Sequence, residues 1–172
     1  MTVSDVGLLS AFVVGLLGGV HCAGMCGGIV GALSFGLKGG RNLPLLLAYG
    51  LGSLSGSLLL GRLRGVDIRT RGSGNAGGTN ALRTFGLRFA LAVVIIDVGK
   101  GALAAGWAPG ILGEPPAWLP YACGLAGVVG HCYPVWFGFR GGKGAATAVG
   151  ALAVLSPWLL LPMGLTWCVV LV

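Results

Sequence analysis

Residues 69–88, RTRGSGNAGGTNALRTFGLR, gather side chains that could do chemistry into one polar stretch between apolar segments. Ser73, Asn75, Thr79, Asn80 and Arg83 stand among Gly72, Gly74, Gly77 and Gly78. Glycine tolerates positive φ, so backbone N–H groups can turn to one concave face and form a nest that binds anions, phosphate above all. Arginine adds a rigid fork of donors matched to pairs of phosphate oxygens. The alternative is an ordinary basic loop held at a membrane face. GSGNAG also fits G-x-G-x-x-G formally, but a dinucleotide fingerprint needs a preceding strand and a βαβ unit.

Two further groups point the same way. Gly141, Gly142 and Gly144 surround Lys143 just before an apolar run starting at Ala145. A glycine-rich turn leading into a helix N-terminus is a ready anion site. It is not a Walker A loop, because Gly144 stands where Ser or Thr should follow the lysine. His131 ends the preceding apolar run, as a helix cap or as an acid–base group. Asp97 and Lys100, three residues apart in DVGKG, share a helical face inside an apolar segment. Buried ionisable groups there face a polar cavity or each other. Either the two form a self-neutralising structural pair, or Lys100 helps bind an anion while Asp97 orients polar groups around it. Together these features suggest a site for two phosphorylated ligands, or for one ligand with two anionic groups.

The elements that must position them are membrane helices. Of 172 residues, 55% are hydrophobic and 9% charged, against roughly 25% charged in a soluble domain. The chain reads as an all-α, polytopic membrane helical bundle. At about 20 residues per span the length allows five to six spans and no separate soluble domain. Thirty-five glycines suit close helix packing. The net charge of +7 reports topology and attraction to anionic headgroups. Nucleic acid is excluded as a partner, because the arginines sit in short loops. Five cysteines, odd in number and in or beside apolar runs, do not form a disulfide framework. The first apolar stretch lacks a basic leader and is not read as a cleaved signal.

The expected spans are 7–37 (one long helix, or a helix and a re-entrant turn), 43–61, 86–106, 119–131, and a last stretch from Ala145 broken around Pro157 and Pro162. The loops at 62–88 and 131–144 hold the basic residues and lie two spans apart, so both are expected on the cytoplasmic side, with 107–118 opposite. Lys38 and Arg41 oppose this assignment but are outnumbered by the six arginines of 62–88.

GSGNAGGTNALR (72–83), DVGKG (97–101) and GHCYPVWFGFRGGKGAAT (130–147), in this order and spacing, resemble the bacterial acyl-phosphate:glycerol-3-phosphate acyltransferase family from about Leu46 onward. The resemblance implies a multi-pass enzyme of the bacterial inner membrane that takes glycerol 3-phosphate and acyl phosphate as its partners in the lipid bilayer. It would transfer the acyl group to the sn-1 hydroxyl in phospholipid synthesis, without metal or organic cofactor. It makes Ser73 and Arg83 the essential polar residues, and Gly72, Gly74, Asn75, Thr79, Asn80, Gly141, Gly142, Lys143 and Gly144 the groups that would hold substrate phosphate. The residues themselves add His131 as a catalytic candidate and Lys100 as a further phosphate-binding one. Acyl phosphate is already activated, so such an enzyme mainly positions two anions and neutralises charge on the leaving phosphate. The base is His131 or a phosphate oxygen of a substrate. The family continues into further helices and a last motif with a functional His, Asn and Glu, so the resemblance implies that this chain stops short of part of the site.

Residues 8–48, with GGVHCAGMCGGIVGALSFG, instead resemble the start of the sulfite-exporter-like membrane family and its HCxGMCGG motif. The expected division is therefore a segment 1–45 of exporter-like character and an acyltransferase-like domain 46–172. The competing function is a transporter or metal-handling fragment. In it His21, Cys22 and Cys26 would bind a soft metal; the alternative is that the cysteines are small apolar residues of a helix.

Overall fold

The computed structural model of the chain describes residues 42–171. The expectations for 7–37, for Lys38 and Arg41 and for metal binding by His21, Cys22 and Cys26 lie outside the described residues. Within them every regular element is helical: α1 (Asn42–Gly52), α2 (Gly56–Leu63), α3 (Gly78–Phe85), α4 (Leu87–Gly106), α5 (Leu119–Cys132), α6 (Ala145–Leu155) and α7 (Leu160–Leu171), joined by short 3₁₀ turns.

The axis of the fold is α4. With the 3₁₀ turn that follows, it makes an apolar rod over Leu87–Leu112, the one helix among the described residues that is by itself long and apolar enough to cross a bilayer. Gly86, at φ +80°, ends α3 and starts α4. The expected boundaries 86–106 and 119–131 fall within one residue of α4 and α5. The break expected around Pro157 and Pro162 falls at Pro157 alone: α6 ends at Leu155, a 3₁₀ turn at Pro157–Leu159 separates it from α7, and Pro162 lies in the first turn of α7. A proline has no N–H to continue the ladder and biases the preceding residue away from the helical region.

Two expectations need correction. The segment 43–61 is not one helix but α1 and α2, bent by 52° around residues 53–55. The stretch 62–88, expected as a loop, is not loop throughout. It contains a 3₁₀ turn at Ile68–Thr70 and the helix α3. Ile68 and Ala76 are fully buried against Leu58, Ala81, Phe89, Ala90 and Val93. Burying a side chain the size of Ile68 contributes about 1.5–3 kcal/mol, which anchors the polar loop on the helices beneath it.

The helices cross at glycines. Gly101 on α4 lies on the Thr147 carbonyl of α6, and Gly150 on α6 lies on the Val98 carbonyl of α4, so a Cβ at either would strike backbone. Gly130 of α5 meets the Tyr49 carbonyl of α1 in the same way. Small residues that let backbones touch are the usual means of holding helices together where no hydrophobic force operates between them. Leu91, Ile95 and Leu103 of α4, Tyr121 and Leu125 of α5, and Val149 and Val154 of α6 face outward.

Candidate active site

The polar loop is shaped by a single buried side chain, Asn80. Its Oδ1 accepts the backbone N–H of Ser73 at 3.0 Å. Its Nδ2 donates to the carbonyls of Arg71, Asn75 and Ile68 at 3.0, 3.0 and 3.3 Å. Thr84, one turn along α3, donates to the same Oδ1 at 3.4 Å. Gly72, at φ +55°, sits where a Cβ would fall on that oxygen. Asn80 therefore holds the loop closed, and its neighbours are left to face a ligand.

A second clamp joins this loop to the segment before the glycine-rich turn. Arg69 pairs with Asp67 through Nε and Nη2, the shortest contact being 2.6 Å. Its Nη1 donates to the carbonyls of Phe137 and Arg140 at 2.8 and 3.0 Å. The hydrogen bond from Arg69 holds the Asp67 carboxyl below its usual range. From the other side, the N–H groups of Gly141 and Gly142 donate to the carbonyls of Cys132 and His131, folding the turn back on the end of α5. Gly144, at φ +77°, then opens α6.

These clamps close a cavity of about 420 Å³ lined by Ser73, Asn75, Thr79, Asn80, Arg83, Asp97, His131, Lys143 and Gly144. The N-cap and first residue of α3 (Gly77, Gly78) and the first residues of α6 (Ala145, Ala146) also reach it. Thr79 and Arg83 are one turn apart on α3. Two helix N-termini thus open on one space, each with first-turn N–H groups that lack intrahelical partners and carry partial positive charge. Arg83 and Lys143, both exposed, add two cations.

The floor is ionic. Asp97 and Lys100 are 1% and 5% exposed, with Nζ 2.9 Å from Oδ1. Oδ1 also accepts the N–H of Gly56 at 3.0 Å, and Nζ donates to the Leu54 carbonyl at 3.1 Å. The donor and acceptor come from the bend between α1 and α2, where the helical ladder is interrupted. Buried backbone groups outside a regular ladder need such partners. His131, equally buried, places Nδ1 2.8 Å from Nζ and 3.4 Å from Oδ1.

Most of the residues expected at the site meet in this cavity: Ser73, Asn75, Thr79, Asn80, Arg83, His131, Lys143 and Gly144. Gly72 supports Asn80. Gly74 and Gly141 line a neighbouring cavity with Arg69, Thr70 and Arg140. Gly142 backs onto His131 Nε2. Lys100, expected to bind the anion, does not line the cavity. Burying its ammonium carries a desolvation cost that close partners must offset, and it is turned onto Asp97 and His131. Sequence reasoning missed Asp67 and Arg69, whose only signal is a D-x-R spacing.

A family model for glycerol-3-phosphate acyltransferase matches residues 43–172. The chain belongs to this family. It is 46% identical over 129 residues to a glycerol-3-phosphate acyltransferase of Jannaschia sp. (strain CCS1), covering 74% of this chain and 60% of that one. It is 49% identical over 124 residues to one from Shigella flexneri, covering 72% and 60%. The chain thus spans about 60% of the length of these relatives. The crystal structure of PlsY, an integral membrane glycerol 3-phosphate acyltransferase, in its glycerol 3-phosphate form superposes with a TM-score of 0.66 at 41% identity, covering 77% of this chain and 66% of that one. Its lysophosphatidic acid form gives 0.62 at 41% identity, covering 75% and 63%.

Proposed function

We propose that the chain transfers a fatty acyl group from acyl phosphate to the sn-1 hydroxyl of glycerol 3-phosphate, giving lysophosphatidic acid and orthophosphate. The observation that carries this reading is the convergence of Ser73, Arg83 and Lys143 with two helix N-termini on one cavity. Asp97 and Lys100 cancel each other, so the cavity keeps the two positive charges of Arg83 and Lys143 for phosphate. In the reaction the hydroxyl oxygen attacks the acyl carbon and the ester bond forms. The bond from acyl carbon to phosphate oxygen breaks, and orthophosphate leaves with the electron pair. The hydroxyl proton passes to a phosphate oxygen. The leaving group is already a good one, so positioning and neutralisation supply most of the acceleration. Ser73, beside the loop N–H groups, would hold phosphate, and Arg83 would grip it in two places.

This activity belongs to a multi-pass protein of the bacterial inner membrane with five to six spans, in which residues 46–172 form the acyltransferase-like domain and 1–45 a segment of separate, exporter-like origin. The loops at 62–88 and 131–144 would face the cytoplasm, where glycerol 3-phosphate is found, and 107–118 the opposite side. The outward apolar faces of α4, α5 and α6 and the arginines of 62–88 support that placement. In a background without native cysteines, Arg71→Cys and Glu114→Cys should react with an impermeant thiol reagent from opposite sides. Labelling of both from one side contradicts the topology.

The activity is tested in membranes carrying the chain, supplied with palmitoyl phosphate and labelled glycerol 3-phosphate. Labelled lysophosphatidic acid should form with one orthophosphate per ester. Product no greater than in membranes lacking the chain overturns the proposal.

A further inference from the structure

We propose that Asp97 and Lys100 lock His131 as the neutral imidazole with its proton on Nε2, making His131 a hydrogen-bond donor to a phosphate oxygen in the cavity and not a base. The phosphate half of this statement rests on the acyl-transfer reading of the same cavity.

A lysine ammonium has three N–H donors and no acceptor. Around Nζ stand three atoms at hydrogen-bonding distance: Asp97 Oδ1 at 2.9 Å, the Leu54 carbonyl at 3.1 Å and His131 Nδ1 at 2.8 Å. Each takes one proton, so Nδ1 must offer a lone pair. A proton on Nδ1 would point two donors at each other across 2.8 Å, although Asp97 Oδ1, at 3.4 Å, would accept it if the lysine were absent. A neutral imidazole carries its proton on the other nitrogen. That nitrogen, Nε2, has no hydrogen-bond partner among the described residues, and its ring lines the cavity. It sits against Gly142, where a Cβ would fall on Nε2 itself, so only glycine leaves the N–H edge free. Asp97 and Lys100 are positioning residues in this arrangement. Lys100 orients the ring, and Asp97 fixes Lys100 with the Gly56 N–H as its second donor.

The test is nitrogen-15 NMR of the full chain labelled at histidine, with the His131 signals assigned by their loss in His131→Gln. Wild-type protein should show an unprotonated Nδ1 and a protonated Nε2, and inorganic phosphate should shift the Nε2–H signal. In Lys100→Met the proton should move to Nδ1, now facing Asp97. A proton on Nδ1 in the wild type, or a doubly protonated ring, overturns the lock. The expected tautomer with no response to phosphate overturns the donor role. These readouts need no turnover, so a chain that failed to transfer acyl groups would contradict the proposed activity and leave the tautomer result standing. In turnover, His131→Ala should lose about 10²–10³ in kcat, the scale of one transition-state donor. His131→Gln keeps a side-chain N–H and should recover about tenfold of that loss with little change in KM. A glutamine variant as impaired as the alanine variant contradicts donation.

Discussion

The side-chain oxygen of Asn80 accepts the backbone N–H of Ser73, seven residues earlier, and the amide nitrogen of the same side chain caps three more carbonyls of the loop. One buried residue thus fixes the backbone on which Ser73 is displayed. Asn80→Leu should leave these groups without partners, each costing about 1–3 kcal/mol if it stays buried. The expected outcome is a lowered Tm and a loss of phosphate binding larger than that of Thr84→Val, which removes only the 3.4 Å contact. Equal losses in the two variants, by thermal unfolding and ligand titration, would contradict the clamp.

Arg83 lies on α3 with its guanidinium free to enter the cavity. Arg83→Ala should abolish acyl transfer, and Arg83→Lys should fail nearly as badly, because a point charge cannot reproduce a fork that binds two phosphate oxygens. Substantial activity in Arg83→Lys, measured as kcat/KM for glycerol 3-phosphate, would show that charge alone matters there.

The Arg69–Asp67 pair ties the polar loop to the carbonyls of Phe137 and Arg140. The carboxyl is held below its usual range by the hydrogen bond from Arg69. Its contribution is therefore full above the ordinary carboxylate pKa and is lost as pH falls through the lower, folded-state value. Both groups are partly exposed, so the gain is small and screened by salt. The Tm difference between wild type and Asp67→Asn should be largest near neutrality and vanish in acid. A difference that grows on acidification contradicts the pair.

Gly101 and Gly150 each press on the opposing backbone of α6 and α4. Gly150→Leu should separate the two helices and lower both Tm and activity, since α4 carries Asp97 and α6 carries the Lys143 turn. The same substitution at Gly99, where a Cβ meets nothing within 4 Å, should be tolerated. Comparable destabilisation of the two by thermal unfolding would argue against the glycine crossing.

Local signals made part of this architecture legible. The apolar run of α4, the proline-bounded α5 and the stop at Pro157 are written in adjacent residues. The glycine-rich stretches around Ser73 and Lys143 marked both halves of the cavity. The bend between α1 and α2 was not legible, because LAYGLGSLSGSLLL is a continuous apolar run with serines, and what stabilises the break is a carboxylate and an ammonium about 41 to 46 residues away. The same distance hid the place of Lys100. Its spacing from Asp97 was visible, but its contact with His131 spans 31 residues. Helix α3 was masked by the glycines and polar residues that precede it, although Gly86 at its end is an ordinary stop signal.

The measurement that bears most directly on the cavity is equilibrium binding of labelled glycerol 3-phosphate to the purified 172-residue chain. Saturable binding at one site per chain, competed by inorganic phosphate and lost in Arg83→Ala and in Lys143→Ala, is the expected result. Binding that survives both substitutions unchanged would place the phosphate elsewhere and contradict the site described above.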